Sequence, residues 1–560
     1  MVSNQNLEIE LQEFFKQKKY SEIVFEITTK TNENERSSGL LNMLGISRIT
    51  NNKKNKDIVS LAVKDFKQGY LLEKNTVNSL DCLANFIISS ALLRDLENKD
   101  DFNFDEIISF YKDSEKFCLN HRAIHVAMTM VNRRLNNYEG MIFHLERLIK
   151  SKNFTTADLC SYGYWRCFDK SWKQSDFFNL GKFLDDNLKE YPQDQLIEIS
   201  NKKNSKIRIG FLSADIRGGH SITYFLKTIL SKYDKEKFEI FLFLNQIKED
   251  QTTTEFRSLV KKSINIGKLD NIKSLNTIRE FNLDIMIDLM GYTSMQRIEL
   301  FKNRIAKKQV LWMGYCNTSG IKNMDYLISD PNLIYSEEQK FYTEKIIFLP
   351  EIWNCHCGFD FPRQKNIPPI TKNNFVTFGS FNNFDKVNSE VISVWSDILK
   401  NVKNSKLILK SAKETHTTER IKKLFEKNGV LNSIIFCKRE DKLEKHLSIY
   451  KNIDIALDTF PYNGVTTSFE ATWMGVPVLT MSGYNFNSRC GESINKNLNM
   501  EFLIAKNNRE YISKAVELSS NLDKYLELRK QVYEKSLKSP LFNAESYSKN
   551  FYQSLEEIIK

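Results

Sequence analysis

Residues 454–483, DIALDTFPYNGVTTSFEATWMGVPVLTMSG, constrain the fold of this chain more than any other stretch. The apolar run IDIAL at 453–457 ends at Asp458. A turn-rich loop with Pro461, Asn463 and Gly464 follows. Thr466, Thr467 and Ser468 open an amphipathic segment that stops at Gly475, and 476–481 reads as the next buried strand. Strand, loop, helix, strand is one unit of an open α/β sheet, which binds ligands beyond the carboxyl ends of its strands. A helix start at that edge presents unpaired N–H groups and a positive dipole end, which suit a phosphate. Thr466 and Thr467 add hydroxyl donors there. Thr467 and Glu470, three apart, also fit a capping box, so the pattern alone leaves a phosphate site and a plain helix start both open.

A chain of 560 residues is too long for one core, and two or three domains are expected. With 41% hydrophobic and 27% charged residues it has an ordinary globular composition. No apolar run reaches the roughly 18 residues of a membrane span. The start, MVSNQNLEIELQEFF, lacks a basic segment followed by an apolar one, so no secretory signal is read. Nine scattered cysteines without a CxxC pair predict reduced thiols in a cytoplasm. The net charge of +11 is spread through Asn- and Lys-rich stretches such as 51–56 and 201–206, which predicts solvated surface and no nucleic-acid partner.

Residues 1–200 carry apolar residues at helical spacing, as at Leu7, Leu11, Phe14 and Phe15. LLNMLGISRI at 40–49 and SLDCLANFII at 79–88 form a faint repeat, with a second helix of a pair between them. Their spacing exceeds the roughly 34 residues of a tetratricopeptide unit, and the insert 51–57 accounts for the excess. Residues 122–151 read as another helix pair, and such arrays stack into solenoids with binding grooves. The polar segment 191–206 marks a boundary. Beyond it, short buried strands alternate with helices at 207–215, 238–245, 284–291, 309–315 and 325–329, as in a parallel sheet. A second set begins at Phe375 and continues at 406–410, 433–437, 454–457 and 477–481. The expected organisation is a helical, tetratricopeptide-like domain at 1–200 and two Rossmann-like, doubly wound α/β domains at 205–370 and 371–540. The Pro-containing segment 365–374 joins the two, and 541–560 reads as an amphipathic helix.

The loop after the first strand holds Asp215, Gly218, Gly219 and His220; a histidine there can act as a general base, cap the next helix or line the cleft. Loops with Asp288 and Gly291, and with Asn317, Thr318, Ser319 and Gly320, follow later strands. Lys386 and His446 would each pass as a surface side chain on sequence alone. Cys355, His356 and Cys357 stand too close together to chelate one tetrahedral ion and are read as a loop, with no metal site.

The run from Asp458 to Gly483 is similar to the nucleotide-binding segment of the protein O-GlcNAc transferase family, the SPINDLY-like glycosyltransferases, in its bacterial type. The pattern is met by Asp458, Thr459, Asn463, Gly464, Thr466, Thr467, Glu470, Trp473, Gly475, Pro477, Val478, Leu479, Thr480 and Gly483. The resemblance covers about 205–545. It implies a GT-B fold of two facing Rossmann-like domains, with the helix at 541–560 packing back on the first. It also implies an inverting, metal-independent glycosyltransferase with no cofactor, which uses UDP-GlcNAc as donor and a protein Ser or Thr as acceptor. The motif F-N-x-x-x-K falls on Phe381, Asn382 and Lys386, which makes Lys386 the cation that stabilises departing UDP. His220 is implied on the acceptor side. The nucleotide sugar is implied to meet Asn317, Thr318, Asn383, His446, Asn463, Gly464, Thr466, Thr467 and Glu470, and Arg489 to be structural. The helical array would hold the acceptor. The chain departs from the pattern at Cys316-Asn317 for Pro-Gly, at Asn383 for Gln, at Val465 for His, and by one extra residue before His220. These departures keep a second reading open, UDP-glucose or another nucleotide sugar with a protein acceptor that includes Asn. An inactive helical scaffold is the reading from a different class.

Overall fold

The structure, a computed structural model, describes residues 4–97, 104–200, 202–361, 363, 367–410, 415–438, 440 and 442–560. It divides into two compact units, and the smaller runs to Asp158 and includes the segment that ends at Arg420. The smaller unit is helical. Helices Ser38–Thr50, Lys56–Leu72 and Val77–Glu97 pack in succession, and Arg122–Arg134 pairs with Tyr138–Lys150. Three of these starts are specified locally. Ser37 accepts from the Leu40 N–H, Asn55 from those of Asp57 and Ile58, and Asn137 from that of Gly140. Phe66, Tyr70, Leu83, Ile87 and Met128 fill the seam between these helices.

The larger unit, from Leu159 onward, contains two parallel sheets. Strands β1 (Ile207–Ser213), β2 (Phe238–Leu244), β3 (Lys262–Asn265), β4 (Ile285–Asp288), β5 (Lys308–Leu311), β6 (Tyr326–Ser329) and β7 (Lys345–Phe348) form the first, in the order β3-β2-β1-β4-β5-β6-β7. The second holds β8 (Thr377–Ser380), β9 (Lys406–Lys410), β10 (Ile434–Cys437), β11 (Ile455–Leu457), β12 (Val478–Met481) and β13 (Ile504–Ala505), in the order β10-β9-β8-β11-β12-β13. Both orders reverse direction once, between β1 and β4 and between β8 and β11, which is the doubly wound arrangement and creates a crevice at each reversal. The sequence reading gave five strands per sheet and missed β3, β7 and β13. All three are edge strands, two to four residues long. β3 and β7 carry exposed end residues, and β13 is only two residues long.

Of the expected connector 365–374, Lys365 and Asn366 lie outside the described residues, as does Asn201 in the polar boundary segment. Pro369 precedes the single turn Ile370–Asn373, whose first N–H is held by Asp454 at 3.1 Å. Helices Thr156–Arg166 and Gln174–Asn187, assigned by sequence to the helical array, lie almost wholly in the larger unit. Their neighbours explain this. Phe168 stacks on Tyr462 at 4.6 Å, Gln174 donates to Asn317 at 2.7 Å, and Lys170 pairs with Glu390 at 2.8 Å. Gly181 lies so close to Gly320 that a Cβ on it would come within 2.6 Å of the Gly320 Cα. Gly320 itself takes φ +70°, so glycine is required on both sides of this contact.

The last helix, Ala544–Glu557, buries Tyr547, Phe551 and Leu555 against the first sheet's helices. Tyr547 and Tyr552 donate to the carbonyls of Trp353 and Ile229, and Phe551 meets Trp312 at 4.7 Å. Phe551 is fully buried. Phe551→Ala is expected to destabilise the larger unit by about 3–5 kcal/mol, read as a lower urea midpoint of its unfolding transition.

Candidate active site

Both sheet reversals are furnished with polar groups. At the first, β1 ends at Ser213 and the loop 214–220 leads into the helix Ser221–Leu230. The Gly218 N–H binds Asp250 at 2.7 Å, and Gly219 takes φ +73°, a turn that favours glycine. His220 then heads the helix, its Nε2 3.5 Å from Asp215 Oδ1 and its Nδ1 buried with no hydrogen-bond partner. Burial lowers its pKa, with Asp215 opposing the shift, so the imidazole is neutral near pH 7.

At the second reversal, Asp458 follows β11 and is almost fully buried. Its Oδ1 accepts from the N–H of Thr459 at 2.9 Å and of Gly464 at 2.7 Å, and its Oδ2 accepts from the Thr480 hydroxyl at 2.7 Å. This folds the loop 459–465 back on its own strand. Asn463 completes it, donating to the Thr459 carbonyl at 2.9 Å and accepting from the Gly491 N–H at 3.1 Å. The Asn463 carbonyl is thereby free to take the Lys386 ammonium, with Nζ at 2.8 Å. Lys386 reaches it from the loop after β8 and lies 4.4 Å above the Tyr462 ring. Desolvation lowers its pKa, against the pull of Asp458. Asn383, on the same loop, is exposed and caps the turn through the Asp385 N–H at 3.2 Å.

The helix Thr466–Trp473 starts beside this lysine. The capping box that its sequence permits is not formed. Thr467 donates to Asn382 at 2.9 Å, and Glu470 accepts from Tyr450 at 2.9 Å and sits 3.0 Å from His446 Nε2. Tertiary partners have taken both groups that a capping box would use, so no side chain caps the helix start. Gly464 stands where a Cβ would fall 2.5 Å from the Thr467 hydroxyl. The helix ends at Gly475, φ +73°, with the Val476 N–H on the Ala471 carbonyl at 2.8 Å.

The two reversals are brought together. Phe225, on the helix headed by His220, meets Phe469, on the helix headed by Thr466, at 5.3 Å between ring centroids. Arg489 Nη2 binds Glu338 at 2.7 Å, and Ser493 donates to Asp330 at 2.7 Å, so residues beyond β12 clamp the loops after β6. Asn317 and Thr318 are fully buried: Asn317 accepts from Gln174, and the Thr318 hydroxyl donates to Glu344 at 2.7 Å. Their side chains thus build the loop 314–320, whereas Lys386, Asn383, Thr466, Thr467, His446 and Glu470 cluster around the second reversal. Cys355, His356 and Cys357 form part of an aromatic core. His356 stacks on Tyr224 at 4.8 Å, accepts from the Gly358 N–H at 3.0 Å, and is pushed down to about 3 by burial. Among the described residues no three His, Cys, Asp or Glu side chains are grouped to hold a metal.

Tyr450, Tyr462, Asn382 and Glu344 join the site without having been singled out by sequence. Their roles depend on partners 17 to 85 residues away, beyond any local spacing. Asn382 was visible only as a member of the F-N-x-x-x-K motif.

Burial pushes Asp458 up to about 6, although its three donors and Lys386 favour the ionised form. The folded state therefore binds this proton more tightly than an unfolded chain with an aspartate near 3.9, and the associated stability, complete below about pH 4, is lost as pH rises towards 6. Asp458→Asn has no such proton. From pH 4 to 7 its stability relative to the parent chain is expected to improve by about 3 kcal/mol, measured by urea unfolding at each pH.

Residues 186–357 and 364–551 match the family model described as "Glycosyl transferase family 41". A curated relative from Solanum lycopersicum is 32% identical over 375 residues, covering 65% of this chain and 40% of that protein. One from Arabidopsis thaliana is 32% identical over 399 residues, covering 67% and 43%. Both are described as "Probable UDP-N-acetylglucosamine--peptide N-acetylglucosaminyltransferase SPINDLY". The chain thus spans about two fifths of the length of these relatives. A solved mutant O-GlcNAc transferase of Thermobaculum terrenum superposes with a TM-score of 0.75 at 20% identity, over 94% of this chain and 98% of that one, and shares its fold. With two facing doubly wound sheets of the GT-B kind and a family match across nearly all of both, the chain belongs to glycosyl transferase family 41.

Proposed function

We propose that this protein is a cytoplasmic, inverting, metal-independent transferase that moves N-acetylglucosamine from UDP-GlcNAc to Ser or Thr of a protein. The observation that carries this reading is the Lys386 ammonium on the Asn463 carbonyl beside the uncapped helix start at Thr466. When the bond between the sugar's anomeric carbon and the diphosphate breaks, the electron pair stays on the phosphate oxygen. A fixed ammonium and the N–H groups of a helix start stabilise that charge without a metal ion. Asn383, His446, Glu470 and the loop through Asn463 and Gly464 hold the nucleotide, and Thr466 and Thr467 add hydroxyls at the diphosphate. Neutral His220 lines the acceptor side, where the incoming hydroxyl attacks from the face opposite UDP and gives up its proton. The curated relatives' names support the sugar and a peptide acceptor. The helical unit holds that acceptor, since helix pairs stacked in succession offer a continuous groove. No described helix is long and apolar enough to cross a membrane, and all nine cysteines are free thiols, which fits a reducing compartment.

A second donor reading, UDP-glucose or another nucleotide sugar with a protein acceptor, is favoured by one feature. The loop 314–320 carries Cys316-Asn317, and Asn317 is committed to Gln174. A thermal-shift series with UDP, GDP, UDP-GlcNAc and UDP-glucose, with and without EDTA, separates these readings. A rise selective for UDP and unchanged by EDTA is expected, larger with UDP-GlcNAc than with UDP-glucose. A GDP-selective rise redirects the donor, and no rise with any of them favours an inactive scaffold.

Lys386→Met is expected to lower turnover at least about a hundredfold while leaving the melting midpoint near that of the parent. Near-normal turnover would remove Lys386 from the mechanism. Because the lysine's pKa is lowered, UDP affinity should fall as pH rises into the range where Lys386 loses its proton, and Lys386→Met should not show that fall.

A further inference from the structure

Few polar partners hold the Lys386 ammonium. Among the described residues it makes one hydrogen bond, to the Asn463 carbonyl at 2.8 Å, and no ion pair. A single hydrogen bond engages one N–H group and leaves a flexible four-carbon stem free to swing. The second hold is the Tyr462 ring, whose centroid lies 4.4 Å from Nζ. Tyr462 is in turn stacked by Phe168, with centroids 4.6 Å apart and planes 27° from parallel. Phe168 lies on the connection between the helices Thr156–Arg166 and Gln174–Asn187, ahead of the residues that match the family, which begin at 186. Tyr164 at 5.7 Å and Trp165 at 5.1 Å pack against it there. The same connection is docked on residues around the second sheet. Tyr484 donates to the Asp169 carbonyl, Asn487 donates to that of Cys167 at 3.1 Å, and Lys170 pairs with Glu390 at 2.8 Å.

We propose that Phe168 and Tyr462 are positioning residues for the transfer step, an aromatic pair that holds the Lys386 ammonium at the mouth of the Asp458 loop. The inference rests on the transferase reading of Lys386. A ring face is negative, so it attracts an ammonium, and more strongly where water is excluded. It does so without consuming an N–H donor. The remaining N–H groups therefore stay available to phosphate oxygens, whereas a carboxylate in the ring's place would compete with the departing diphosphate. A cation already in place stabilises the leaving oxygen more than one that must first be oriented. Tyr462 belongs to a loop, so its ring needs a support to stay beside the lysine, and Phe168 supplies that support by stacking. The ring also favours the charged form of the lysine. The titratable groups that face Lys386 are Asp458 after β11, Asp385 on its own loop, and the Cys316 and Cys490 thiols. Burial opposes the charge, and Asp458 favours it together with the ring. Without the ring, Lys386 loses its proton at a lower pH.

The test uses the full chain and four variants, Tyr462→Leu, Phe168→Leu, Tyr462→Phe and Phe168→Tyr. Release of UDP from UDP-GlcNAc is followed across pH for kcat and KM. Lys386 is titrated separately by competitive labelling with acetic anhydride, read by mass spectrometry. Tyr462→Leu is expected to lower kcat about tenfold with KM within about threefold of the parent. It should also move the alkaline limb of kcat and the Lys386 titration downward by about half a pH unit or more. Phe168→Leu should move the same quantities in the same direction by less, and it carries the test if Tyr462→Leu does not fold. Tyr462→Phe and Phe168→Tyr keep the stack and should restore most of the turnover and the parent titration. Rings that serve only as packing would give a lower melting midpoint and a Lys386 titration at the parent position. That result in either leucine variant overturns the inference, and so does a downward shift as large in Tyr462→Phe as in Tyr462→Leu. A parent chain that releases no UDP sinks the transferase reading instead, while the Lys386 titration still decides whether the rings hold the ammonium.

Discussion

The site depends on one buried carboxylate. Asp458 follows β11 and takes three hydrogen bonds, two from its own loop and one from β12. These contacts turn the chain back so that Asn463 faces Gly491 and Lys386, and they set where the helix Thr466–Trp473 begins. A charge held in an apolar sheet edge is costly unless it is bonded on all sides, and the loop has the shape it has because it supplies those bonds. Asp458 also favours the charged form of Lys386, so the same carboxylate shapes the loop and keeps an ammonium at its mouth.

A second constraint holds the two sheets in register. Arg489 is nearly fully buried, stacks on Tyr335 at 3.8 Å and binds Glu338 with two nitrogens. A planar guanidinium suits this position because it satisfies a carboxylate and an aromatic face together. Around His356, the rings of Tyr224, Phe359, Phe469 and Phe542 come from both halves of the unit and from the approach to the last helix. The polar clamp orients the halves, and the aromatic cluster supplies the buried area between them. The arrangement places His220 and Thr466 at the heads of two helices that touch.

Much of this was legible beforehand. Buried central strands announced themselves as apolar runs, and the end of the helix after the Asp458 loop by Gly475. The edge strands β3, β7 and β13 were missed: each is two to four residues long, and β3 and β7 have exposed ends, so they stand out little from the flanking loops. The boundary near residue 200 was drawn from composition. The structure instead gives Gln174, Phe168 and Gly181 partners on the α/β loops, and those partners are 139 to 294 residues away, where no local pattern reaches.

The sequence by itself determined the doubly wound class and, through its motif runs, the family, because periodicity, turn residues and motif spacing are local properties. It did not determine which of two roles a side chain takes when both are sterically available. Thr467 and Glu470 are spaced to cap a helix, yet one bonds Asn382 and the other Tyr450 and His446. Only the packing of two sheets against each other decides such matters, since a hydrogen bond goes to whichever partner the fold desolvates beside it.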